Sequence, residues 1–166
     1  MKKMKSLFSL LLLVVKVIVK VQQEDFITQN EIDNLKNRCK EIPGAITSFV
    51  GYVRDYSNNE KITSLNIEHY PGMTEKKLIE ISEQASKKWP LLGTIVIHRY
   101  GKLNTSDQIV LAAAASLHRK AAFEATEFMM DYLKTSAPFW KSEIINDRKV
   151  WVKAKLEDEI AKKKWQ

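Results

Sequence analysis

The 166-residue sequence is poor in the residues that build cross-linked and metal-bound proteins, with one cysteine and three histidines. Because Cys39 has no second cysteine in the chain, an internal disulfide and a cysteine-based metal site are both excluded. The histidines do not follow a metal-ligand spacing such as HExxH. We therefore predict no metal centre, and we place Cys39 in the core because it continues the apolar stripe of a helix.

Glycine and proline are also scarce, with five and four residues respectively. The sequence contains no glycine-rich loop of the kind that cradles a phosphate, no nucleophile elbow and no internal repeat. The common sequence signatures of nucleotide-binding loops and of serine hydrolases are therefore missing.

The apolar run near the N-terminus, LFSLLLLVV, ends at Lys16 and falls short of the ~20 residues that a membrane-spanning helix needs. With the basic start MKKMK it imitates a signal peptide, but no small-residue cleavage site follows. We predict that residues 1–15 are an apolar N-terminal extension and that residues 16–166 form a single cytoplasmic domain with no membrane partner. An exported or membrane-tethered protein is the alternative interpretation.

Positive charge is in excess, with 27 Lys and Arg against 20 Asp and Glu and a formal net charge of +7. This balance favours acidic or phosphorylated partners, and a basic module that binds nucleic acid or an acidic ligand is one candidate function. However, Glu124, Glu127 and Asp131 interrupt the basic residues near the middle of the chain, so no continuous basic stripe forms. We therefore predict no nucleic-acid partner.

Hydrophobic periodicity predicts an α+β fold with mostly antiparallel strands and packed helices. The predicted strands are 17–21, 45–54, 62–70, 94–99, 109–115 and 150–154, and the predicted helices are 30–40, 74–89 and a segment from Ser116 to about Lys134, with a further helix in the charged tail. Strands 45–54 and 62–70 are expected to form a hairpin, and Gly51 is expected to mark a bulge. The helix N-caps are predicted to be Asn30, Thr74 and Ser116.

Residues 118–143 place cations at both ends of an apolar helix, which is a plausible way to build an anion site. Pro138 ends the helix and is predicted to start a second short one, so that Lys134 and Lys141 flank a bend and converge on one pocket. His118 lies 16 residues before Lys134, or roughly 24 Å along the helix. Either the two ends serve different sites, or a second copy of the chain completes one site.

Several separated motifs resemble the large, catalytic subunit of molybdopterin synthase. They are GAITSFVGYVR, LNIEHYPGMTEKKL, KKWP, IHRYGKL, SLHRKAAFEA and DYLKTSAPFWKSE, in this order, and the resemblance covers roughly residues 17–166. The turn after GKL departs from the family pattern, because it reads NTSDQ where the family usually has a glycine.

The resemblance implies an α/β hammerhead fold and a sulfurtransferase of molybdenum cofactor biosynthesis with no permanently bound cofactor. Its substrate is expected to be cyclic pyranopterin monophosphate (precursor Z), which receives two dithiolene sulfurs. A small ubiquitin-like carrier subunit is expected to deliver each sulfur as a C-terminal thiocarboxylate. The implied assembly is a homodimer of this chain within a heterotetramer.

The resemblance also implies the site residues. Lys134 and Lys141 match the two catalytic lysines, and both also contact substrate; the other substrate-binding positions are Tyr52, Val53, Arg54, His118, Arg119, Ser142 and Glu143. Arginine binds phosphate in a bidentate manner, so we assign Arg54, Arg119 and His118 to substrate anchoring. We assign Lys134 to proton transfer at the thiocarboxylate and Lys141 to substrate orientation.

Without the resemblance, these residues have ordinary structural explanations. Arg54 would be a solvated charge at a strand end, and Lys134 a solvated lysine at a helix C-terminus. A structural role is the better explanation for His69 and an equally good one for His98.

Overall fold

The computed structural model describes residues 15–57 and 59–166, so most of the predicted extension, residues 1–14, lies outside the described chain. The strands are β1 (Lys16–Gln22), β2 (Ala45–Tyr52), β3 (Tyr56–Ser57), β4 (Glu60–His69), β5 (Leu91–Arg99), β6 (Gly101–Asn104), β7 (Gln108–Ser116), β8 (Phe139–Ile145) and β9 (Arg148–Trp151). The helices are α1 (Thr28–Arg38), α2 (Met73–Lys88), α3 (Arg119–Ser136) and α4 (Leu156–Lys163). The α+β class is confirmed.

The first sheet has the strand order β1-β5-β7-β2, and only the β1–β5 pair is parallel. The buried residues of β5 and β7 alternate between two apolar layers because successive side chains point to opposite faces of a strand. Val96, Ala112 and Ala114 pack with α2 and α3, whereas Ile95 and Ala113 pack with α1. The small alanines let α3 lie close to the sheet, and this fixes the position of its C-terminal end.

The second sheet is built on β4, which pairs with β8 along one edge and with β3 and β6 along the other. Strand β9 pairs with the far edge of β8. Leu65, Ile67 and Leu103 form a small core with Val53 on the face that also carries Phe139. This face carries the candidate site.

Two sequence-based expectations are wrong, one about strand pairing and one about a short helix. Strands β2 and β4 do not form a hairpin, because β2 pairs with β7 in the first sheet and β4 pairs with β8 in the second. The segment after Pro138 is not a short helix but strand β8, whose backbone groups are satisfied by β4 and β9. The register shift between Gly51 and Tyr52 confirms the predicted bulge.

The predicted caps are also wrong, since the residues that precede the helices are Ile27, Gly72 and His118. The Ser116 hydroxyl instead donates to the carbonyl oxygen of Pro90 at 2.9 Å, which ties the end of β7 to the start of β5. Cys39 is half-buried beside the α1 core, as predicted. In the described residues, no helix has the length and apolar character needed to cross a membrane.

Candidate active site

The junction between α3 and β8 brings the two predicted catalytic lysines together. Helix α3 ends at Ser136, and Ala137 takes an extended conformation before Pro138, so the chain turns directly into β8. Lys134 lies in the last helical turn and Lys141 at the third position of the strand. Their ammonium groups are close enough for the charge of Lys134 to act on Lys141.

Lys141 is half-buried on the face of the second sheet that packs on the first. Burial lowers the pKa of Lys141, the positive charge of Lys134 lowers it further, and the carboxylate of Asp158 opposes both effects. The Lys141 carbonyl oxygen accepts a 2.8 Å hydrogen bond from the Val152 amide, which holds this position of the strand. The Lys141 ammonium group therefore loses its proton at a pH below the ordinary lysine range.

Lys134 is more open to solvent, with 47% of its side chain exposed. Its Nζ lies 3.5 Å from Oδ1 of Asp158 on α4, so a carboxylate from the C-terminal tail neutralises part of the local positive charge. Asp158 is not among the site residues predicted from the sequence. It lies among other acidic residues in a charged tail, and no local pattern marks it as a neighbour of Lys134.

Two histidines lie close to Lys141, and the sequence alone predicts a catalytic role for neither of them. His98 is completely buried, and its ring stacks on Phe139 with a 3.7 Å centroid separation. The His69 ring is 4.5 Å from that of Tyr100 and 6.3 Å from that of Phe139. Both imidazoles therefore lie against Phe139, on the apolar side of the sheet that also carries Lys141.

The predicted substrate-binding end of β2 lies beside a separate open cleft. Tyr52, Arg54 and Tyr56 line this cleft of about 690 Å³, and the side chains of all three are exposed. Val53 is buried, and its backbone exchanges hydrogen bonds with Ser106 and Asp107. The NTSDQ turn therefore supports the strand end that carries Arg54.

That turn has an unusual backbone conformation. Ser106 adopts a φ of 71°, in the left-handed region where glycine is favoured. The turn thus places a serine, and not a glycine, in the left-handed conformation.

His118 and Arg119 lie at the opposite end of α3 and are exposed. Arg119 and Lys134 are 15 residues apart on one continuous helix, which places them about 22 Å apart. Within one chain, the structure therefore does not bring His118 and Arg119, which are predicted to anchor the substrate, to the lysines. Gly44 packs against this end, because a Cβ there would lie 2.2 Å from the Leu117 carbonyl oxygen.

The remaining predicted positions, Ser142 and Glu143, follow Lys141 on β8. Ser142 is buried and points to the opposite face of the strand from Lys141, and its hydroxyl has no hydrogen-bond partner in the described part of the chain. Glu143 is half-buried and returns to the Lys141 face. A metal-binding group of three or more His, Cys, Asp or Glu residues is not found among residues 15–57 and 59–166.

Comparison with known proteins gives a consistent result. The family model described as MoaE protein matches residues 21–136. A molybdopterin synthase catalytic subunit from Vibrio cholerae is 46% identical over 148 residues, which are 89% of this chain and 97% of that protein. A solved MoaE structure from Burkholderia ambifaria has 42% identity and a TM-score of 0.77, with 90% of this chain and 97% of that chain covered. The Staphylococcus aureus molybdopterin synthase structure has 35% identity and a TM-score of 0.74, covering 81% and 96%.

Proposed function

Because the chain belongs to the MoaE protein family, we propose that it is the catalytic subunit of a molybdopterin synthase and acts in molybdenum cofactor biosynthesis. In this proposal it is a sulfurtransferase that converts cyclic pyranopterin monophosphate to molybdopterin. The observation that carries the assignment is that Lys134 lies close to the half-buried Lys141 at the α3–β8 junction, in a chain that matches the relatives over most of its length.

The two lysines suit the chemistry that this reaction needs. A thiocarboxylate and a phosphorylated pterin are both anionic, and two neighbouring ammonium groups attract such groups and stabilise charge that develops on them. A lysine with a lowered pKa also exchanges a proton more readily near neutral pH. We therefore assign proton transfer at the reacting carboxyl to Lys141 and charge stabilisation to the more exposed Lys134, which reverses the division expected from the sequence.

We further propose that sulfur arrives on a small ubiquitin-like carrier subunit. The relatives are named catalytic subunits, a name that implies at least one other subunit in those proteins. The lone cysteine supports external delivery, since the chain has no cysteine pair that could relay sulfur. The proposed assembly is a heterotetramer with a central homodimer of this chain.

The substrate phosphate is assigned to arginine side chains. Arg54 lies in the open cleft beside Tyr52, and Arg119 lies beside His118 at the start of α3. We propose that His118 and Arg119 of one chain complete the site of its partner, because α3 is too long for them to reach the lysines of their own chain. A nucleic-acid-binding function is not favoured, since Glu124, Glu127 and Asp131 lie among the basic residues of this region.

A turnover assay tests the proposal. The purified protein is mixed with thiocarboxylated carrier and precursor Z, and the dithiolene product is detected by mass. We expect product from the wild type and a fall of roughly 100-fold or more for Lys141→Ala, because general acid–base groups contribute at least this much. The turnover of Lys134→Ala is also expected to fall below that of the wild type.

Lys102→Ala serves as the matched control, because Lys102 is an exposed lysine on β6 whose side chain lies on the opposite face of the second sheet from Lys141. Absence of product from a folded wild type that still binds the carrier would overturn the assignment. Cell fractionation of the native protein checks the cytoplasmic location, which remains a prediction.

A further inference from the structure

His98 is a polar side chain that the proposed reaction does not use. It lies on β5 with no exposed surface, on the same face of the strand as Val96. Its Nδ1 lies 2.8 Å from the Arg99 carbonyl oxygen. A carbonyl oxygen can only accept, so Nδ1 carries the proton and donates it, and Nε2 of the neutral ring carries a lone pair.

The Nε2 lone pair has no hydrogen-bond partner among the residues that the structure describes. Leaving a buried acceptor unpaired is destabilising, because no hydrogen bond compensates for the water that the atom has lost. An apolar side chain at this position would avoid that cost and would still stack on Phe139. The unpaired nitrogen therefore points to a donor that arrives in the working state of the protein.

The groups that face His98 identify this donor. The charged or titratable neighbours are Lys141 on β8, His69 on β4 and the adjacent Arg99. The Arg99 guanidinium is held by the Gln23 and Gln108 carbonyl oxygens and by Asp25. Arg99 is therefore committed elsewhere, and its side chain does not serve His98.

His69 is also committed. The Thr74 hydroxyl donates to the Tyr70 carbonyl oxygen at 2.9 Å, so it can only accept from Nδ1 of His69, 3.3 Å away. Neutral His69 thus has no N–H left to offer His98. Lys141 lies on the same face of β8 as Phe139, and the Phe139 ring covers His98. The side-chain amine of Lys141 feels the charges of Lys134 and Asp158 but makes no hydrogen bond among the described residues.

We propose that His98 is a positioning residue for Lys141: its Nε2 accepts a hydrogen bond from the Lys141 amine and holds that amine toward the reacting carboxyl group. The effect of His98 on catalysis rests on the proposed function. The hydrogen bond between His98 and Lys141 can be tested without measuring turnover. His98 is an acceptor only, and it neither takes a proton from Lys141 nor touches substrate.

The environment of His98 suits an acceptor that never changes charge. Burial lowers the pKa of His98 to about 3, and the charge of Lys141 adds to this effect while the bond to Arg99 opposes it. The imidazole is therefore neutral across the physiological pH range. A permanently neutral acceptor favours the ammonium form of Lys141 and so limits how far burial lowers its pKa.

Two substitutions separate the two ring nitrogens. The side-chain amide of His98→Asn can replace the Nδ1 donor but not the Nε2 acceptor, whereas the longer His98→Gln places its oxygen or nitrogen near the Nε2 position. We expect kcat to fall about tenfold or more in His98→Asn with an unchanged KM for precursor Z, since hydrogen bonds to charged groups are worth this much. His98→Gln should retain most of the activity.

Nuclear magnetic resonance of lysine-labelled protein gives the readout that a purely structural role would not move. The signal that is missing from the spectrum of Lys141→Arg is assigned to Lys141. The pKa of the Lys141 amine is expected to be lower in His98→Asn than in the wild type. An unchanged Lys141 pKa, together with unchanged kcat, would overturn the proposal.

A second measurement needs no substitution at His98. The ¹⁵N shift of Nε2 in histidine-labelled wild type should change when Lys141 is replaced by Met, because the hydrogen bond is then lost. An Nε2 shift that is the same in both proteins would reject the contact even if the His98 variants fail to fold. If the shift changes but the wild type makes no product, the contact stands and the proposed function fails.

Discussion

At the residue scale, His98 makes the stability of the fold depend on acidity. The folded protein keeps this imidazole neutral down to a pH of about 3, whereas in the unfolded chain it takes up a proton below its ordinary pKa of 6.5. The unfolded state therefore binds more protons between these two values, and stability falls as the pH is lowered through this window. Since one pKa unit corresponds to 1.36 kcal/mol, the loss from this residue approaches an upper bound of roughly 5 kcal/mol.

We predict that wild type loses more stability than His98→Gln between pH 6.5 and pH 4, by about 2–3 kcal/mol. Urea unfolding curves at several pH values measure this difference. The carboxylates titrate in both proteins, so the comparison isolates the histidine. Parallel curves for wild type and His98→Gln would contradict the prediction.

At the element scale, α4 is held to the domain by its C-terminal end and by polar contacts. None of the helix residues is buried. Just beyond it, the Trp165 ring packs edge-on against Trp89 and Phe128, and its Nε1 donates to Asp131 at 2.7 Å. The ion pairs Lys164–Glu127 and Lys134–Asp158 are surface contacts that salt screens. Trp165 is therefore the principal anchor of the helix.

We predict that Trp165→Ala loosens α4 while the two sheets stay folded. Loss of a half-buried aromatic ring costs about 1–3 kcal/mol. Because that cost is local, amide hydrogen exchange in residues 156–163 should accelerate about tenfold or more while exchange in β5 is unchanged. Trp165→Phe, which keeps a ring but removes the donor to Asp131, should show an intermediate effect. Unchanged exchange in α4 would show that its ion pairs suffice to hold it.

At the scale of the whole molecule, one long helix separates the groups that the proposed site needs. Arg119 and Lys134 are about 22 Å apart on the continuous α3, whereas Lys134 and Lys141 meet at its end. A second chain, related by two-fold symmetry, would supply Arg119 to the lysines of the first. Each site would then combine residues from both chains.

We predict complementation between inactive variants. A mixed dimer of Lys141→Ala and Arg119→Ala chains contains one site with both substitutions and one intact site. Random mixing makes half of the dimers mixed, so about one quarter of the wild-type turnover should return. The measurement is turnover after the two variants are unfolded and refolded together, with each refolded alone as control. If the site lay within one chain, every site would carry a substitution and no turnover would return.

The sequence by itself determined the secondary elements of the first sheet and the identity of the two lysines. Strand β5 is an almost unbroken apolar run, β7 follows with its alanines, and Pro138 ends α3 between Lys134 and Lys141. These signals are local, because a periodicity or a proline acts within a few residues. The family motifs contributed the remaining site positions, which no local pattern would have selected.

Only the tertiary structure decided which strands pair and what surrounds each lysine. Backbone hydrogen bonds are the same for every strand, so alternation alone could not show that β2 and β4 belong to different sheets, or that the segment after Pro138 joins β4 instead of forming a helix. The lowered pKa of Lys141, the pairing of Asp158 with Lys134 and the unpaired nitrogen of His98 depend on burial and on distant neighbours. Burial and long-range contact arise only when the layers pack together, and no short stretch of sequence contains them.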